Sequence, residues 1–96
     1  MIERVKTEIE LMQRHTEVLR TVVVHQPIGI MKLSELLDLP FHRIRYSLRV
    51  LEQLGYIQAT PAGAIATPLT EEFLKRLDED LDELIVLLES MKREKR

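Results

Sequence analysis

Residues 32–57 read KLSELLDLPFHRIRYSLRVLEQLGYI. A short leucine-rich helix is predicted first, then a break at Leu39-Pro40, then a second helix that stops at Gly55 ahead of Tyr56-Ile57. At 3.6 residues per turn the second helix sorts into two sides. Ile44, Ser47, Leu48, Leu51 and Leu54 share the side expected to meet a core. His42, Arg45, Tyr46, Arg49 and Gln53 share the opposite side, with Arg43 on its flank. Two helices joined by a tight turn, the second basic on its free side, form a helix-turn-helix over residues 31–55.

Outward from that centre, residues 1–26 are predicted as a long N-terminal helix ending before Pro27. Ile2, Val5, Ile9, Met12, Thr16, Leu19 and Val23 recur at spacings of three and four, as in a heptad seam. Leu11, Val18 and Val22 form a second stripe beside it. Pro27-Ile28-Gly29-Ile30 leaves room for a short edge strand, where proline is tolerated. The first helix of the motif, from about Met31 to Asp38, is expected to turn Leu33, Leu36 and Leu37 inward. Tyr56–Ala59 and Ala64–Thr67 read as two strands around a Thr60-Pro61-Ala62-Gly63 turn, a hairpin over residues 56–67. Residues 69–96 form a last helix, with Thr70 as expected cap and Glu71 and Glu72 in its first turn. Along it Leu74, Leu77, Leu81, Leu84, Leu88 and Met91 again step by three and four. The fold class is mostly α with a small β-hairpin (α+β), in one domain over residues 1–96.

Composition bounds the function. Ninety-six residues suffice for one core, and with two Tyr, two Phe and no Trp that core must be aliphatic. No cysteine is present, which excludes disulfides, thiolate metal sites and a cysteine nucleophile. The charged N-terminus lacks the apolar core of a signal peptide, and no apolar run approaches the ~18 residues that span a bilayer, so a cytoplasmic protein without a membrane partner is expected. The net charge of −2 conceals a division. Residues 41–58 hold Arg43, Arg45 and Arg49 against the single acid Glu52, whereas residues 71–83 hold seven acids against Lys75 and Arg76. A local patch counts for more in binding than the total charge.

The order helix, edge strand, helix, helix, hairpin, helix, with its LSELLDLP…RIRYSLRVLEQLGYI core, resembles the winged helix-turn-helix domains of bacterial and archaeal transcriptional regulators. Within that group it is most similar to small archaeal dimeric members with long terminal helices. The resemblance implies double-stranded DNA as a partner, with helix 41–54 in the major groove and the hairpin as the wing. The wing tip carries no Lys or Arg, a departure from the basic wing usual in that family.

The candidate DNA-binding residues are therefore His42, Arg43, Arg45, Tyr46, Arg49 and Gln53. Arginine pairs bidentately with guanine or phosphate, and Arg45 and Arg49 lie one turn apart. The plain alternative is a solvated helix face. The candidate homodimer interface is Ile2, Val5, Ile9 and Met12 of the first helix with Leu77, Leu81, Leu84, Leu88 and Met91 of the last. Residues 84–96 hold four bases against two acids, so two last helices laid antiparallel set acid against base. The three histidines have no metal-ligand spacing, and no nucleophile–base set or phosphate loop is present, so no metal, cofactor or enzymatic activity is expected. Two rival readings stand beside a regulator: a winged-helix module that binds a protein, and an architectural DNA binder with little sequence preference.

Overall fold

The computed structural model describes residues 1–93, the side chain of Arg93 excepted, so that Glu94, Lys95 and Arg96 of the basic C-terminal run lie outside the described residues. Helix α1 spans Ile2–His25 and stops where Pro27 removes a backbone donor. Helices α2 (Ile30–Leu37) and α3 (Phe41–Gln53) form the helix-turn-helix, strands β1 (Ile57–Thr60) and β2 (Gly63–Ala66) the hairpin, and α4 runs over Pro68–Arg93. The chain is thus mostly α with a small β-hairpin, in a winged helix-turn-helix order with long terminal helices.

Turns are fixed by local chemistry. Asp38 closes α2 in the left-handed region (φ 54, ψ 47), a conformation that a short polar side chain tolerates where glycine is commoner. Its N–H and that of Leu39 both return to the Ser34 carbonyl, while the Ser34 hydroxyl donates to the Leu39 carbonyl at 2.5 Å. Pro40 lies just before α3 rather than within it. At the far end Tyr56 N–H bonds Leu51 O (2.9 Å) and Gly55 N–H bonds Glu52 O (3.0 Å), with Gly55 at φ 87. Those paired bonds constitute a Schellman stop, and they aim the chain straight into β1.

The hairpin pairs Ile57 with Ala66 and Thr60 with Gly63, leaving Pro61-Ala62 as the tip. Each strand therefore sits one residue from its sequence-based placement. The anticipated edge strand shrinks to one antiparallel bridge, Ile28 with Ala64, closed by two backbone bonds of 3.1 and 2.8 Å. The aliphatic core gathers Val18, Leu19 and Val22 of α1, Ile28, Leu33 of α2, Ile44 and Leu51 of α3, and Ile57 and Ala64 of the hairpin. At roughly 25 cal/mol per Å2 of apolar surface, each such Val, Leu or Ile contributes about 1.5–3 kcal/mol.

Several expectations need correcting. Leu36 and Leu54 are exposed: Leu33 and Leu37 take the core-facing positions of α2, and Leu54 lies past the last turn of α3. Thr70 does not cap α4, which opens at Pro68; it is buried within the first turns, its hydroxyl donating to the Tyr56 carbonyl at 2.5 Å. Pro68 suits that opening because a helix's first N–H has no intrahelical acceptor. Leu19 of the supposed seam belongs to the core beside the second stripe's Val18 and Val22. Leu77, a candidate for the dimer interface, is only 4% exposed in the single chain, so most of its side chain is covered by the chain's own packing.

Candidate nucleic-acid interface

Helix α3 is held by its inner face. Ile44, Ser47 and Leu51 are buried and Leu48 packs on the core, so the rotation of the helix is set. That rotation turns His42, Arg43, Arg45, Tyr46, Arg49 and Gln53 outward, and all six are exposed.

A concavity of about 480 Å3 collects five of these six, His42, Arg43, Arg45, Tyr46 and Arg49, and adds Arg14 from α1. Gln53, farther along the helix, is not part of it. Arg45 and Arg49 also line a second groove, of about 510 Å3, between α3 and the hairpin tip at Pro61-Ala62. They therefore stand on the ridge between the two hollows. Met1–Glu3, Lys32–Glu35 and Lys75–Glu71 form ion pairs on the exposed surface, and among the described residues no arginine of α3 is ion-paired. Four guanidinium groups around one hollow, without ion-paired acids, make its surface cationic.

Behind the concavity lies a polar junction between α1 and α3. The Ser47 hydroxyl is fully buried and meets Arg14 Nε at 3.2 Å and His15 Nδ1 at 2.8 Å. Arginine can only donate, so the hydroxyl accepts from Arg14 and its own hydrogen is free for His15 Nδ1. Burial, and then the Arg14 charge, lower the His15 pKa below its ordinary value of 6.5, which favours the neutral ring that this arrangement needs. Tyr46 leans on the same junction, its ring 5.8 Å from the His15 ring and 5.9 Å from the Arg14 guanidinium carbon. Of the other histidines, His42 joins the concavity, and His25 is exposed at the end of α1.

Arg14 and His15 are the site residues that sequence periodicity missed. One signal pointed to them: Ser47, a polar residue on an apolar face. A buried hydroxyl requires a partner, and where its own helix's carbonyls do not serve, a polar side chain from the helix packed against α3 can supply one.

The wing tip, Thr60-Pro61-Ala62-Gly63, bears no cation, and its order comes from the Thr60 hydroxyl donating to Gly63 O at 2.7 Å. Among the described residues no helix is long and apolar enough to cross a membrane.

No family model matches the sequence, and no curated protein matches it. Among solved structures the fold is similar to the activation domain of the phage T4 transcription factor MotA, with a TM-score of 0.60 and 19% identity over 74% of this chain and 81% of that one. At that identity the likeness is one of fold.

Proposed function

We propose that this protein binds double-stranded DNA as a homodimeric transcriptional regulator, laying α3 in the major groove. The observation that carries the reading is the outer face of α3: Arg43, Arg45 and Arg49 exposed, free of ion pairs, on the second helix of a helix-turn-helix. Arg45 and Arg49, on the ridge, are placed to reach base edges, and Arg43 and His42 flank them toward the phosphates. The overall charge of −2 limits non-specific attraction, so binding is expected to depend on this one face.

A second reading has its own support. The structural neighbour is described as the activation domain of a transcription factor, so a fold of this kind also occurs outside a part named for DNA binding. Under that reading the arginine face meets an acidic protein surface. Fluorescence anisotropy with a mixed-sequence duplex and with an acidic peptide separates the two. DNA binding predicts saturable, salt-sensitive association with the duplex and none with the peptide at matched ionic strength; the reverse pattern supports the protein partner. Competition between duplex sequences then distinguishes a regulator from an architectural binder.

A further inference from the structure

We infer that Arg14, on α1 rather than on the helix-turn-helix, is a backbone-phosphate contact that is fixed in position before DNA arrives; the inference rests on the DNA-binding reading above. Arg14 lines the same concavity as Arg43, Arg45 and Arg49. Its Nε–H is committed to the buried Ser47 hydroxyl, and its guanidinium lies 5.9 Å from the centre of the Tyr46 ring. Both contacts restrain the fork, and its terminal nitrogens have no hydrogen-bond partner among the described residues. A guanidinium presents five N–H groups in a rigid plane, and only the one on Nε is engaged. Glu10 and Glu17 of α1 line an adjoining groove with Arg14, yet neither pairs with it.

No described acid lies within ion-pair distance of this partly buried charge, which leaves it open to an anionic ligand. A phosphate fits better than a base edge. Arg14 stands on a neighbouring helix behind α3, and residues set back from the reading helix reach the duplex backbone. Pre-ordering also gives Arg14 a role distinct from that of Arg45 and Arg49. Long cationic side chains lose rotamer freedom on binding, and here much of it is already lost in the free protein. The contact would fix the register of α3 along the groove while carrying no sequence information.

The test compares Arg14→Gln, Arg14→Lys and the unaltered protein on several duplex sequences across a salt series. Arg14→Gln should weaken every sequence by about the same factor, on the order of tenfold, and reduce the slope of log affinity against log salt by about one. Arg14→Lys keeps the charge, so it should retain most of the salt slope even though its bond to Ser47 is lost. Equal losses in the two variants, accompanied by a lower melting temperature, would mean that Arg14 only braces α1 against α3. Arg14→Gln with unaltered affinity and slope would overturn the assignment while leaving α3 as the reading helix. Failure of the unaltered protein to bind any duplex, or binding of an acidic peptide in its place, would remove the underlying reading and this contact with it.

Discussion

At Ser47 the buried side of α3 exchanges apolar packing for a hydroxyl, and the neighbouring residues are arranged around that exchange. The hydroxyl satisfies Arg14 and His15 together, so α1 and α3 are joined by a directional contact as well as by oil. Such a junction is pH-dependent. The pKa of His15 in the folded chain lies below the 6.5 of the free ring, so folding favours the neutral form. Its contribution to stability is fully present above the unfolded value. It declines as pH falls below that value, because the unfolded chain takes up a proton first, and it is gone once pH has passed the lowered folded value. Urea unfolding at about pH 8 and about pH 5 should show the unaltered protein losing more stability on acidification than His15→Gln. Equal losses would dismiss the junction as a titrating element. At this scale the sequence was a partial guide. Helical period placed Arg45, Arg49 and Tyr46 outside and Ile44 and Leu51 inside, because a face follows from spacing alone. It misplaced Leu54, 58% exposed, because spacing does not reveal where the packing partner of a helix ends. It passed over Arg14, whose role exists only once α1 has been laid against α3.

Among the elements, the wing depends on a close approach that one glycine permits. A Cβ on Gly63 would fall 2.6 Å from the Ile28 carbonyl carbon, and the residue has φ 131, which side-chain-bearing residues rarely adopt. Gly63→Ala should therefore cost about 2–4 kcal/mol, from strain and from displacing the Ile28–Ala64 bridge. Gly29→Ala is the control, since a Cβ there meets nothing within 4 Å. Thermal unfolding of the pair checks this; equal midpoints would show that the bridge gives way without penalty. The stops and turns were the most legible features, because Gly55 and Pro61-Ala62-Gly63 act through φ, a local property. The start of α4 was less so. Thr-Pro-Leu-Thr offers two hydroxyls near a helix start, and tertiary contacts decide between them. Thr67 donates to Gly55 O at 2.6 Å and Thr70 to Tyr56 O, so both hydroxyls tie α4 to the end of α3. The short edge strand was equally hard to bound, since one bridge leaves too little sequence pattern to measure.

The whole molecule measures 57 × 27 × 21 Å, elongated by terminal helices that outrun the core. Ile2, Val5 and Ile9 on α1 are exposed, and so are Leu84, Leu88 and Met91 on α4. Ile85, Val86 and Leu87 extend the exposed apolar surface beyond the seam that the three-four spacing identifies. Residues 81, 84, 85, 87, 88 and 91 cover an arc of about 160° at ~100° per residue, wider than a two-stranded coil buries. An open groove of about 470 Å3, with Ile9 and Met12 of α1 on one side and Leu77 and Leu81 of α4 on the other, runs beside that arc. In the proposed homodimer the α4 of one protomer is covered by both terminal helices of its partner, antiparallel, with acidic first half against basic second half. Light scattering at micromolar concentration should give twice the 11.3 kDa chain mass, and Leu84→Glu with Leu88→Glu should restore a monomer that keeps its hairpin and core. A monomer mass for the unaltered protein would contradict the assembly. Whether the arginine face of α3 meets DNA is decided by titrating a duplex with the unaltered protein and with Arg45→Ala/Arg49→Ala. The double variant should bind with affinity lower by about 2–6 kcal/mol and keep an unchanged melting temperature, since neither side chain touches the core. Binding of the two proteins with the same affinity would contradict that contact.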